Sequence, residues 1–327
     1  MPVTEPQTAG AVLMVRPAQF GSNAETAGSN FFQHAGLESG GAAERARHEF
    51  DALALALAGA GVRVHQFAGQ RGAALPDEVF PNNWLSLHAD GTAVLYPMLA
   101  PSRRRERRRD ILDALVGSCR YRIDRVVDLT SLEARGEYLE GTGSVVLDRV
   151  ARVAYACLSP RTHLEALGEL ARALRYEVVP FTAVDSRSRP IYHTNVMLSV
   201  GTRFAALCTA AIADAAERRS VVAPLGESGR ELIGLSHAEP PFDVGKRVVH
   251  RQRGRREDYR AEAIEHRLAH EARHVHRRRA QEDAAAARFE EVDEIGIVAA
   301  QELPQIVMQL AGAPLQRLQC FRRSIGW

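Results

Sequence analysis

Hydrophobic positions along this 327-residue chain fall into strand-length and helix-length runs for two thirds of its length, and then lose their period. Ala11 to Val15 reads as an apolar strand stopped by Arg16-Pro17, and a polar, Gly/Ser/Asn-rich loop follows to about Gly41. From Glu44 to Ala58 the apolar residues recur at helical spacing, and Gly59-Ala60-Gly61 ends the run. Val62 to Phe67 alternates as a half-buried strand does.

Three segments then share one plan. Asn83 to Pro97 reads as a hairpin turning at Ala89-Asp90-Gly91, followed by a helix from Arg103 to Val116 and a strand from Arg125 to Leu129. Gly143 to Ser159 repeats the hairpin, with a helix from Arg161 to Arg175 and a strand from Glu177 to Phe181. Asn195 to Cys208 opens the third unit, with a helix from about Thr209 to Arg218 and a strand from Ser220 to Pro224. A ββαβ unit cannot bury its sheet face alone, so repeats at a period of roughly 50 residues must pack about a shared core.

Polar side chains stand at the same point of each unit, the entrance to its hairpin. They are Asn82-Asn83 in the first, Glu140 in the second, and His193 with Asn195 in the third. If the units surround an axis, these entrances meet, and a carboxylate, an imidazole and several amides face one ligand. Taken singly, Glu140 reads as a turn carboxylate and His193 as a hydrogen-bonded strand-end histidine; their equivalent placement favours a site. Asp185, in the loop before the third hairpin, is a candidate for holding a substrate α-amino group, and equally an Asx-turn residue. The arginine run from Pro101 to Asp110 reads as a solvated helix face in preference to a carboxylate clamp.

Composition narrows the class. With 46% hydrophobic and 25% charged residues and a net charge of +2, the chain is an ordinary globular protein, and nothing in the total calls for nucleic acid. Lys246 is the only lysine among 42 Lys+Arg, a skew that points to a GC-rich coding sequence more than to a function. Cys119, Cys157, Cys208 and Cys320 are widely spaced and read as free thiols of a reducing, cytoplasmic compartment. The first residues lack the pattern of a signal peptide, and no apolar run approaches the roughly 20 residues of a membrane span.

The motifs "FPNNW", "LEGTGS" and "YHTNVML", with "MVRPAQFGSNAET" near the start, resemble the amidinotransferase and arginine deiminase superfamily, and most of all its bacterial citrulline-utilisation hydrolases. The likeness runs from about Met14 to Ser236. It implies an α/β propeller of five ββαβ blades with the active site on its pseudo-fivefold axis. It also implies covalent catalysis without a cofactor or metal. A cysteine thiolate attacks the guanidino or ureido carbon of an amino-acid substrate, a histidine serves as acid and base, and a glutamate holds the substrate nitrogens. By position His193 matches that histidine and Glu140 that glutamate. Asn83 and Asn195 stand where deiminases of guanidinium substrates commonly carry aspartates. A guanidinium offers only donors, whereas a ureido group also carries an acceptor, so amides suit a neutral, citrulline-like substrate. Glu140 beside His193 is expected to raise the imidazole pKa.

After Ser236 the plan stops, and the fourth and fifth hairpin units are not legible. The chain therefore divides into a propeller-like unit, residues 1–237, and a divergent Arg/His-rich segment, residues 238–327, whose composition suits a shifted reading frame or a replaced terminus. Cys320 stands at about the right distance from the C-terminus for the nucleophile, with Arg322 and Arg323 beside it, but lacks the expected glycine-rich context. His270-Glu271-Ala272-Arg273-His274 matches a zinc motif in a segment so rich in His, Glu and Arg that chance explains it. The interspersed acids of the same segment favour a self-paired helix over a nucleic-acid tail. The sequence thus supports a hydrolase or deiminase, with an inactive relative lacking its nucleophile, or an Arg-rich binding module, as alternatives. It leaves a homo-oligomer open.

Overall fold

The computed structural model describes residues 5–30 and 41–235, together with the backbone of a short strand at 296–297. Twelve strands among the described residues form four separate three-stranded sheets. The first sheet pairs β1 (Ala11–Arg16) in parallel with β2 (Arg63–Ala68), with β12 (Gly296–Ile297) on the other side of β1. A short turn, α1 (Ala24–Ala27), follows β1, and the long helix α2 (Ala42–Gly59) precedes β2. Phe50, Leu53, Ala54 and Leu57 of α2 are buried with Val12 and Met14 of β1 in one apolar cluster.

The other three sheets are built alike, as the alternation predicts. The hairpin β3 (Leu85–Leu87) and β4 (Thr92–Leu95) is antiparallel, and β5 (Arg125–Asp128) returns parallel to β4. In the second unit β6 (Val145–Asp148) and β7 (Val153–Cys157) form the hairpin, and β8 (Glu177–Phe181) pairs in parallel with β7. In the third, β9 (Leu198–Val200), β10 (Phe204–Leu207) and β11 (Glu231–Gly234) repeat the arrangement. The hairpin strands are buried on both faces, so they read as nearly unbroken apolar runs, whereas β5 is largely exposed.

The helices depart from their sequence expectations. The first divides into α3 (Pro101–Arg104) and α4 (Arg109–Gly117) instead of running from Arg103 to Val116. The second, α6 (Leu164–Leu174), starts three residues later than expected, because Ser159 to Thr162 form a tight turn closed by their own backbone hydrogen bonds. The turn at that unit's hairpin entrance is α5 (Gly141–Ser144). The third, α7 (Ala215–Glu227), contains the segment Ser220 to Pro224 that reads as a strand; the strand of that unit is β11. Asp214 caps α7 by accepting from the amides of Ala216 and Glu217, and Val221 and Leu225, four residues apart, are buried on its inner face. The Val-Val-Pro composition favours a strand locally, and the cap with this apolar spacing overrides it.

The N-terminal residues tie the second and third hairpins together at their turns. Gln7 Nε2 donates to the carbonyls of Leu147 and Val200 at 2.9 and 3.0 Å, and Gln7 Oε1 accepts from the amide of Arg149. Glu5 is buried and receives Arg149 and the hydroxyl of Tyr176. Asp148 and Arg230 add a buried, two-pronged ion pair between the second and third units. No helix among the described residues is long and apolar enough to cross a membrane. Residues 238–295 and 298–327, with Cys320, the zinc-like motif and nearly all of the divergent segment, lie outside the described residues.

Candidate active site

Each hairpin is entered through a single helical turn, and the three turns meet. Pro81–Asn83 leads into the first hairpin, α5 into the second and Thr194–Val196 into the third. Thr194 Oγ1 donates to the carbonyl of Ser144 and accepts from the amide of Cys157, locking the second and third turns. Asn83 Nδ2 donates to the carbonyl of Glu140 at 3.3 Å, locking the first to the second. Two glycines make this approach feasible. Gly141 has φ +46°, and a Cβ there would lie 2.0 Å from the Asn82 carbonyl. A Cβ on Gly143 would meet Asn83 Nδ2 at 2.4 Å and His193 Nδ1 at 2.8 Å.

His193 Nε2 stands 2.9 Å from Glu140 Oε2, and both side chains are buried. Burial opposes the Glu140 charge, but Arg161, the His193 hydrogen bond and Arg103 outweigh it and hold the carboxyl well below the usual range. Burial also dominates at His193, and with Arg161 and Arg103 nearby it overrides the pull of Glu140, so the imidazole is pushed down to about 4. The expectation that Glu140 raises this pKa is therefore corrected: the carboxylate acts in that direction, but desolvation wins. A neutral imidazole next to a carboxylate carries its proton on Nε2. Nδ1 is then a bare lone pair, buried and without a hydrogen-bond partner.

Two arginines complete the cleft: Arg103, from the run whose carboxylate-clamp reading came second to a solvated face, and Arg161, which sequence reasoning missed. Arg103 is buried, contrary to the solvated face expected of its segment. Its Nε and Nη2 bind the two oxygens of buried Glu106 at 3.2 and 3.0 Å, and its Nη1 donates to Asn83 Oδ1 at 2.9 Å. Desolvation pushes the Glu106 carboxyl up to about 8, against the pull of Arg103. Arg161 reaches Glu140 Oε2 at 3.3 Å, the carbonyl of Thr26 and the hydroxyl of Ser29, and lies 4.8 Å over the ring of Tyr192. Asp77 lines the same cleft and is held by Asn23 Nδ2 at 2.6 Å. The break between α3 and α4 and the turn before α6 are what aim Arg103 and Arg161 inward. The signal available in sequence was slight: Pro101 opens the short helix α3 at its first position, and Pro160 lies in the turn before α6.

Of the other candidates, Asn83 lines the cleft, and Asn195 is half-buried in the third turn, outside that lining. Asp185 lies in its own loop, where its carboxylate accepts from the amides of Arg187 and Arg189 and from the Arg189 guanidinium. Cys157 is a core residue, its thiol pushed up to about 12 by burial and donating to the Ile191 carbonyl. No cluster of three or more metal-ligating side chains occurs among the described residues.

A family-model match places the chain in the amidinotransferase and arginine deiminase superfamily. Within it, residues 16–245 match the family model described as "N,N dimethylarginine dimethylhydrolase, eukaryotic", and the chain belongs to that family. No curated protein matches the sequence. Among solved structures, the N-terminal domain of the cyanobacterial arginine dihydrolase ArgZ, a cysteine-to-serine variant bound to substrate, is similar at 20% identity and a TM-score of 0.51. That match covers 68% of this chain and 75% of that one. AgrE, in a ternary complex with ornithine and NAD+, is similar at 21% identity and a TM-score of 0.52, over 70% of this chain and 30% of that one. The chain spans 29% of full-length ArgZ.

Proposed function

We propose that this chain hydrolyses a C–N bond at the guanidino or ureido carbon of an arginine- or citrulline-like amino acid, in an active site on the axis of a five-bladed α/β propeller. The three like-built sheets and the first sheet supply four of its blades, and residues 1–237 form most of its catalytic domain, with β12 and Cys320 contributed from beyond them. The observation that carries this reading is the buried Glu140–His193 pair with Nδ1 left as a base. The family match and the arginine-related ligands of the fold neighbours support it.

Glu140 fixes the imidazole tautomer, and His193 Nδ1 moves the protons. His193 Nδ1 takes the proton of a cysteine thiol as the sulfur adds to the substrate carbon, then hands it to the leaving nitrogen, which departs as ammonia or an alkylamine and leaves the carbon bonded to sulfur. His193 Nδ1 then takes a proton from the water that attacks this carbon, the C–S bond breaks, and the amino-acid product leaves. Cys320 is the candidate for this thiol. Three of the five N–H donors of Arg103 and four of those of Arg161 are spent on protein groups, which leaves donors on both for a substrate α-carboxylate. Asp77 stands beside them for the α-amino group. Asn83, an amide where a carboxylate suits a guanidinium, tilts the site toward a neutral ureido group.

Side-by-side turnover of citrulline, arginine and N,N-dimethylarginine tests the substrate, and Cys320→Ser tests the nucleophile. Turnover of arginine far above that of citrulline contradicts the neutral-substrate reading, and unchanged turnover in Cys320→Ser removes Cys320 from the mechanism.

A further inference from the structure

Away from the Glu140–His193 cleft lies a second cavity of about 430 Å³, within the range of small-molecule sites. The loop after β1 (Arg16 to Gln19), Arg47 of α2, and the segment Ala68 to Gly72 enclose it. Three guanidiniums face it, those of Arg16, Arg47 and Arg71. Asp51 takes Nε and Nη2 of Arg16, at 2.7 and 2.8 Å. Arg47 Nη1 donates to the Ala18 carbonyl at 3.3 Å. Arg71 is exposed and has no carboxylate partner among the described residues. Glu78, the other nearby carboxylate, is buried in the wall and saturated by the amides of Ala18 and Gln70 at 2.6 and 2.9 Å. The lining therefore carries excess positive charge on side chains whose planar forks match phosphate and carboxylate oxygens.

The wall itself is built to close tolerance. A Cβ on Gly69 would fall 2.1 Å from Glu78 Oε1 and 2.5 Å from the Ala18 amide nitrogen, so only glycine lets the two loops share that carboxylate. The residue before Glu78 is Asp77, which lines the active cleft. Glu78 thus braces the loops of this cavity from behind, next to a residue of the active cleft.

We propose that this cavity is a second binding site, for a small polyanion carrying phosphate or carboxylate groups, separate from the catalytic cleft and independent of the reaction assigned to it. Calorimetric titration of the full chain with pyrophosphate and, in parallel, with citrate tests this and tells the two anion chemistries apart. Saturable binding of one of them is expected, weakened about tenfold or more in Arg71→Ala and also in Arg47→Gln, since each removes a charge-assisted contact. Arg161→Ala, which alters the catalytic cleft, is expected to leave that binding intact. Thermal unfolding of Arg71→Ala should match the parent, because its side chain is exposed and unpaired. No saturation by either anion below about 10 mM overturns the proposal. So does equal binding in both cavity variants, or loss of binding in Arg161→Ala.

Discussion

His193 Nε2 and Glu140 Oε2, from the hairpin entrances of different units and 53 residues apart, lie 2.9 Å from one another, and both side chains are buried. The pairing consumes one ring nitrogen and leaves the other as a base. Glu140→Gln removes the charge that fixes the tautomer, and His193→Gln removes the base. Each is expected to lower kcat by about 100-fold or more with the fold retained, as loss of general acid–base catalysis does. Steady-state kinetics with circular dichroism as the control checks this.

The depressed His193 pKa has a definite pH signature. Between about 4 and 6.5 the unfolded chain binds a proton on this residue that the folded chain does not, so stability rises with pH across that window and is lost on acidification. His88, buried and pushed down to about 4, acts in the same direction. Glu106 has the opposite sign: its raised pKa weakens the fold as pH climbs from the ordinary carboxylate range toward 8. An NMR titration should show the His193 imidazole neutral at pH 6, with its midpoint near 4; a midpoint at or above 6.5 would count against the desolvated site.

Gly143→Ala should damage the site directly. The added methyl meets the Asn83 amide and His193 Nδ1 well inside contact distance, and overpacking of this kind costs about 1–3 kcal/mol. Denaturant unfolding measures the loss. Activity is expected to fall further than stability accounts for, because the collision displaces the base.

Glu106 positions Arg103 and does not itself line the cleft. Glu106→Gln frees one side of that guanidinium. KM is expected to rise about tenfold for a substrate with an α-carboxylate, at nearly unchanged kcat. A decarboxylated analogue should show no such difference, a split that general destabilisation cannot produce.

At the far end of the hairpins, Glu5→Ala strands Arg149 and takes a partner from Tyr176. Because Arg149 reaches solvent, the cost should be about 2 kcal/mol, below that of a wholly buried pair. Thermal unfolding of a fully active variant checks it.

Strands and hairpin entrances were legible because alternation and turn residues are local signals. Ala11, Glu177 and the polar residues at 82–83, 140 and 193 stand where their spacing puts them. What was not legible depends on tertiary contacts. Arg103 sits in a run that reads as charged surface, and only Glu106, Asn83 and the broken helix reveal it as buried. Arg161 reads as the first turn of a helix, yet its guanidinium is anchored by Thr26 and Ser29, more than 130 residues away. Ser220 to Pro224 has strand-like composition, and its helix is set by the Asp214 cap and by Val221 and Leu225 packing inward. The sign of the His193 shift turned on burial, which sequence spacing does not carry.

The most direct test of the central claim is product formation from citrulline, arginine and N,N-dimethylarginine by the full chain and by His193→Gln. If His193 is the base of a C–N hydrolase, at least one of the three is hydrolysed, citrulline foremost, and the rate falls by about 100-fold or more in the variant. No hydrolysis of any of the three, or equal rates in parent and variant, would contradict it.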